Sequence, residues 1–154
     1  MKVYILKREQ TVDADLEKCW RFLRDPANLN KITPEDLHFK IISPLPEVMF
    51  DGLIIEYRIS IPFFGRQHWF AEIKHIRDRI SFVDEQRAGP YRLWHHYHEL
   101  RQTAGGVKLL DIVHYALPYG LAGRMLHYVV IRKILNRIFD YRREKLRVIL
   151  GNRH

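Results

Sequence analysis

Between Phe82 and Leu100 the chain runs FVDEQRAGPYRLWHHYHEL, and three histidines, His95, His96 and His98, fall close together. Imidazoles at this density can ligate a transition metal, move a proton near neutral pH, or anchor a buried polar network. The spacing narrows the choice. Alternate side chains of a strand share a face, so Trp94, His96, His98 and Leu100 point one way and His95, Tyr97 and Glu99 the other. A three-histidine metal site from this strand alone is excluded, and the pair His96-x-His98 remains.

The next strand supplies the partners. A Gly105-Gly106 hairpin loop sets His96 opposite Tyr115, His98 opposite Val113 and Leu100 opposite Asp111, with Asp111 diagonal to His98. An Ala104-Gly105 loop sets His98 directly opposite Asp111. In both registers the even-numbered residues of the first strand share a face with the odd-numbered residues of the second. A three-residue loop would reverse that and separate the histidines from Asp111.

Several elements must hold these strands. Lys2 to Lys7 alternates like a short strand, and a helix follows, with Asp13 as the expected N-cap and Leu16, Cys19, Trp20 and Leu23 at helical spacing. Pro26 stops it, and PANLNKITP reads as a second short helical piece. From about Leu37 the period falls to two. Strands are expected over His38 to Ser43, Leu53 to Ile61, His68 to Ile76, Ile80 to Arg87, Tyr91 to Gln102 and Val107 to Leu117. Asp51-Gly52, Pro62 to Gly65, Asp78, Gly89-Pro90 and Gly105-Gly106 mark the turns between them. After Gly120 a helix runs to about Leu150, with Ile131, Ile134, Ile138 and Tyr141 on one side and Arg132, Lys133, Arg137, Arg143 and Arg147 on the other. The order predicts an α+β domain: a curved antiparallel sheet of about seven strands around one long C-terminal helix, with a cavity between them.

The 154 residues suit a single domain over 1–154. No apolar run approaches the length of a membrane span, and MKVYILKREQ breaks to charge too soon for a signal peptide. One cysteine, Cys19, rules out an internal disulfide, and the expected setting is cytoplasmic. The net charge of +8 is uneven: nine Lys and Arg against Asp140 and Glu144 after Tyr119 leave that segment at +7. A solvated helix face accounts for this, and weak contact with an anionic membrane is a further reading. No Gly-rich phosphate loop, CxxC pair, nucleophile elbow or dinucleotide fingerprint is present. Neither a cofactor, a metal nor a specific nucleic acid is expected, and the sequence does not give the oligomeric state.

Phe82-Val-Asp84-Glu-Gln86, Gly89-Pro90-Tyr91, Trp94-His-His96-Tyr-His98, Gly105-Gly106, Asp111-Ile-Val-His-Tyr115, Leu117-Pro118-Tyr-Gly120 and Ile138-Phe139-Asp-Tyr141-Arg142 form a recognisable series. With it the chain resembles the SRPBCC superfamily, which includes the START-type lipid-binding domains and the birch-pollen-allergen-like proteins. Within that superfamily it is similar to the bacterial ligand-binding, cyclase/dehydrase-like branch. The resemblance follows the whole element order and is densest from about residue 50 onward. It implies a helix-grip fold and a cavity for a small hydrophobic molecule such as a lipid, polyketide or isoprenoid.

The motif positions Phe82, Asp84, Gln86, Trp94, His96, His98, Asp111 and Tyr115 form consistent single faces, so the resemblance places them inward. Four readings of this polar band stand side by side. It is a buried network whose members satisfy one another. It orients a hydrophobic ligand in an apolar pocket. It performs cofactor-free cyclisation or dehydration, with His98 or His96 as base, Asp111 or Asp84 orienting it, and Tyr115 as acid or oxyanion donor. Or His96-x-His98 and a carboxylate hold a metal. The expected ligand-binding set is Tyr57, Trp69, Asp84, Gln86, Trp94, His96, His98, Tyr115 and Arg142, with His98 and Asp111 as the pair for the enzymatic alternative. Tyr57 and Trp69 read as core or pocket wall. Arg142 either reaches a cavity carboxylate or snorkels past the core edge. Pro118, Gly120 and Gly123 read as a connector or as a gate at the cavity mouth.

Overall fold

The computed structural model describes residues 1–151. Strand β1 spans Tyr4–Val12 and helix α1 Leu16–Leu23, followed by 3₁₀ turns at Pro26–Ile32 and Glu35–Leu37. Six strands follow: β2 (Lys40–Ile41), β3 (Leu53–Ile61), β4 (Gly65–Arg77), β5 (Ser81–Ala88), β6 (Leu93–Thr103) and β7 (Gly106–Ala116). Helix α2 (Gly120–Leu126) passes through a π-helical turn, His127–Ile131, into α3 (Arg132–Leu150). The seven strands form one antiparallel sheet in the order β1-β7-β6-β5-β4-β3-β2. This is the helix-grip α+β architecture. No helix among the described residues is long and apolar enough to cross a membrane.

Some boundaries differ from expectation. β1 continues to Val12 because all nine of its residues pair with β7. Its inward positions include Arg8, whose guanidinium donates to Asn136 Oδ1 at 2.6 Å on α3 and faces Asp140. A polar residue at an inward site hides the strand from a hydrophobic-periodicity test. The N-cap of α1 is Asp15, not Asp13: its Oδ1 accepts from the Lys18 amide at 2.7 Å. The strand expected over His38 to Ser43 shrinks to two residues. His38 is left-handed, with φ 46°, and the Ser43 hydroxyl takes the Glu56 amide at 3.0 Å in place of a ladder partner.

The β6–β7 loop decides the site. Thr103 pairs with Gly106, so the hairpin turns on Ala104-Gly105 and sets His98 opposite Asp111 and Trp94 opposite Tyr115. Gly106 is required here: its φ is 121°, and an added Cβ would meet the Val12 carbonyl oxygen at 2.1 Å. Register shifts in the β4–β5 ladder, at Phe70/Ala71 and Lys74/Arg77, bend the sheet.

Two apolar clusters fill the interior. In one, Leu146 and Leu150 pack with Trp20, Phe82, Val107 and Leu109; in the other, Ile131, Leu135 and Phe139 pack with Leu6, Trp94, Val113 and Tyr115. Burying each of these large side chains contributes roughly 1.5–3 kcal/mol. The inner stripe of the long helix is therefore Ile131, Leu135, Phe139, Leu146 and Leu150, while the expected Ile134, Ile138 and Tyr141 sit at its partly buried edges. Between Phe139 and Leu146, Arg142 takes the gap where the apolar clusters separate.

Candidate functional site

Asp84 on β5, His96 and His98 on β6, and Asp111 on β7 form a band across three adjacent strands. The Asp111 Oδ1 lies 2.8 Å from His96 Nε2 and 3.0 Å from His98 Nδ1. The two imidazoles lie against each other at a tilt of 33°, 3.7 Å between centroids, and Phe82 stacks on His98 at 4.2 Å. Burial and the neighbouring His98 push His96 down to about 3 against the Asp111 hydrogen bond, so at neutral pH it is an uncharged imidazole donating an N–H. Burial alone would raise Asp111, but the hydrogen bonds from both histidines outweigh it and hold the carboxyl well below the usual range. Asp84 moves the other way, raised by burial against the opposing pull of His98 and Arg142.

The band faces a cavity with two lobes between sheet and helix. One, about 60 Å³, lies under Phe22, Leu29, Met49, Phe82 and Leu146 and reaches His98 and Asp111. The other, about 110 Å³, is walled by Phe39, Trp69, Tyr91, Trp94, Ile131, Leu135 and Phe139 and reaches His96. Leu29, Tyr57, Asp84 and Arg142 line both and form the waist. Three of these four carry a buried polar atom without a hydrogen-bond partner among the described residues: Tyr57 OH, Asp84 Oδ1 and Arg142 Nε. Buried polar atoms are normally satisfied, and leaving one unmet costs about 1–3 kcal/mol. Arg142 does not reach a carboxylate through Nε; its guanidinium lies 5.0 Å from the centre of the Phe139 ring.

Of the residues expected at the site, Tyr57, Trp69, Asp84, Trp94, His96, His98, Asp111 and Arg142 converge on the two lobes. Gln86 and Tyr115 line neither. The Gln86 amide clamps the β5–β6 turn, donating to the Tyr91 carbonyl at 2.7 Å and accepting from the Tyr91 amide at 3.2 Å. Tyr115 lies four residues beyond Asp111, about 13 Å along the strand. Its hydroxyl meets His127 Nε2 at 2.8 Å, in a recess behind β1 where His127 stacks on Tyr4 at 3.5 Å. Burial pushes the Tyr115 phenol up to about 12. The expected arrangement of His98, Asp111 and Tyr115 is thus only two-thirds assembled. Tyr91 and Phe139 stand inside quoted motifs but enter the site unforeseen; Leu29 and His127 gave no signal in the sequence.

Among the described residues, Asp84, His96 and His98 could hold a metal, with ligand atoms within 4.8 Å of one another. Two imidazoles and a carboxylate suit a first-row transition metal. The carboxylate in that set is Asp84, while Asp111 receives both histidines.

No family model matches this sequence, and no curated protein matches it. Solved structures do. A protein from Chromobacterium violaceum is 12% identical, covers 97% of this chain and 99% of its own, and superposes with a TM-score of 0.73. A ginseng (Panax ginseng) major latex-like protein is 12% identical, with 95% and 96% coverage and a TM-score of 0.67. A START superfamily protein from Mycobacterium smegmatis is 8% identical, with 95% and 96% coverage and a TM-score of 0.65. At these identities the likeness is one of fold. The chain shares a helix-grip fold with these proteins.

Proposed function

We propose that this chain is one ligand-binding domain that holds a small hydrophobic molecule across the waist of the two-lobed cavity. The observation that carries the reading is the convergence of Tyr57 OH, Asp84 Oδ1 and Arg142 Nε, all buried and without a partner among the described residues, between two apolar lobes. Arg142 donates, Tyr57 can donate or accept, and Asp84 accepts when ionised. The matching molecule carries a carbonyl or similar acceptor beside a hydroxyl, with a compact apolar group, smaller than a benzene ring, on each side. An apolar cavity of about 150 Å³ takes one benzene, so lobes of 60 and 110 Å³ favour compact groups. Polyketide-like and short isoprenoid-like molecules meet this description. Binding or transport needs no cofactor, and the buried free Cys19 supports a reducing, cytoplasmic setting.

Trp69 and Trp94 wall the larger lobe, so their fluorescence reports its filling. Titration with small aromatic hydroxy-ketones should give saturable quenching, weakened about tenfold in Tyr57→Phe and in Arg142→Gln. Wild-type affinity in both variants, or no quenching by any such compound, would sink the reading.

The enzymatic alternative, a cyclase or dehydratase, has the His98–Asp111 contact in its favour. It loses Tyr115 as the acid, and Asp84 or Tyr57 would have to serve. Turnover that disappears in His98→Ala while binding persists would distinguish it.

A further inference from the structure

At the end of the fold where β7 gives way to helix, large apolar side chains face solvent. Along α2 and the π turn, Tyr119 is 77% exposed, Leu121 75%, Met125 72% and Val129 64%. The β3–β4 turn adds Phe63 at 89%. Phe64 and Tyr119 line one recess together with Leu126, so turn and helix meet at the same end. Both Phe63 and Tyr119 hold a left-handed backbone, φ 69°, which bulky residues seldom adopt. Scattered exposed apolar residues are ordinary; here Leu121, Met125 and Val129 recur every fourth residue along one helical segment, as on an interaction surface.

Charge identifies the occupant. From Ile112 to Phe139 there is no Asp or Glu, while Arg124, Arg132, Lys133 and Arg137 all fall within it. Arg137 is engaged by Asp36 at 2.7 Å, but Arg124, Arg132 and Lys133 are exposed beside the apolar residues, and Lys2 joins them through the Tyr128 hydroxyl at 2.8 Å. Two copies of the chain meeting face to face here would oppose these cations to one another. An amphipathic segment with aromatic, Leu and Met side chains on one side and Arg and Lys at its flanks instead suits the interface of an anionic bilayer.

We infer that α2, the π turn and the Phe63 turn form a docking surface for anionic membranes, with the apolar side chains entering the headgroup layer and the cations meeting lipid phosphates. The surface differs from the basic face of the long helix, which presents Arg143 and Arg147 farther along the chain. Docking does not depend on the ligand proposal. Its consequence does: Tyr91 and Ile131 line both the recess under this surface and the larger ligand lobe, so a docked protein would bring the rim of its cavity to the lipid.

Vesicle co-sedimentation of the full chain tests it, using phosphatidylcholine vesicles with and without phosphatidylglycerol. Binding should require phosphatidylglycerol, weaken with added salt, and fall roughly tenfold or more in the double variant Leu121→Asp/Met125→Asp and in Arg124→Glu. These positions are exposed, and circular dichroism checks that both variants fold. Three outcomes overturn the proposal: no binding to anionic vesicles at low salt, binding unchanged in the double variant but lost in Arg143→Glu/Arg147→Glu, or a dimer in sedimentation that the double variant dissolves without any vesicle binding.

Discussion

His98 sits directly opposite Asp111 in the β6–β7 ladder, and its Nδ1 lies 3.0 Å from an Asp111 oxygen that also receives His96 Nε2 at 2.8 Å. One carboxylate therefore fixes two imidazoles. Its loss would leave both without an acceptor in a largely buried setting.

Asp111→Asn should destabilise the protein by about 2–3 kcal/mol in chemical denaturation, since one buried charge-assisted acceptor serves two donors. Adding His98→Ala should cost much less than the sum of the two single changes, because they share that partner. Additive losses would show that His98 does not depend on Asp111.

Acid should weaken the fold. His96 titrates at about 3 in the folded protein against an ordinary 6.5, so the unfolded chain takes up a proton in that window and the folded one does not. Stability is complete above about 6.5 and declines as pH falls toward 3. Asp111, also held low, acts with the same sign at lower pH, while Asp84, raised, acts against them. Urea unfolding across this range should show the decline in the wild type and a flatter profile in His96→Asn. A wild-type profile without slope would contradict the assignment of a neutral, buried His96.

Gly123 is fixed by packing. A Cβ there would meet the Pro118 carbonyl oxygen at 2.0 Å. Gly123→Ala should push α2 off Pro118 and cost about 1–3 kcal/mol, although alanine is the better helix former. An unchanged or raised melting temperature would show that α2 moves freely, as a gate would.

Much of this was legible in the sequence, for identifiable reasons. Period-two alternation located β3 to its last residue and the other long strands nearly so, and either two-residue β6–β7 loop puts His96, His98 and Asp111 on one face. Parity could not choose the loop, and the choice decides that His98 rather than Leu100 faces Asp111. Nor could it reveal that Gln86 serves its own turn, since a clamp to Tyr91 and a cavity wall both need an inward side chain. Tyr115 shares the face of the histidines yet its hydroxyl meets His127, since same-face alternation gives direction but not distance. The waist was hidden altogether, because it depends on which residues of β3, β5 and α3 fail to find partners.

Tyr57→Phe separates ligand from scaffold. Without ligand the phenol is buried and unsatisfied, so removing it should leave stability unchanged or raise it by up to about 1 kcal/mol. The same change should weaken ligand binding. A loss of stability in the ligand-free protein would mean that the hydroxyl serves the fold.

The most direct test is native mass spectrometry of the purified protein presented with aromatic hydroxy-ketones, beside Arg142→Gln and the denatured masses. The account predicts one adduct of small-molecule mass on the wild type, lost on denaturation and strongly reduced in Arg142→Gln. A bare chain under every condition, or the same adduct on the variant, would contradict a ligand held at the Tyr57–Asp84–Arg142 waist.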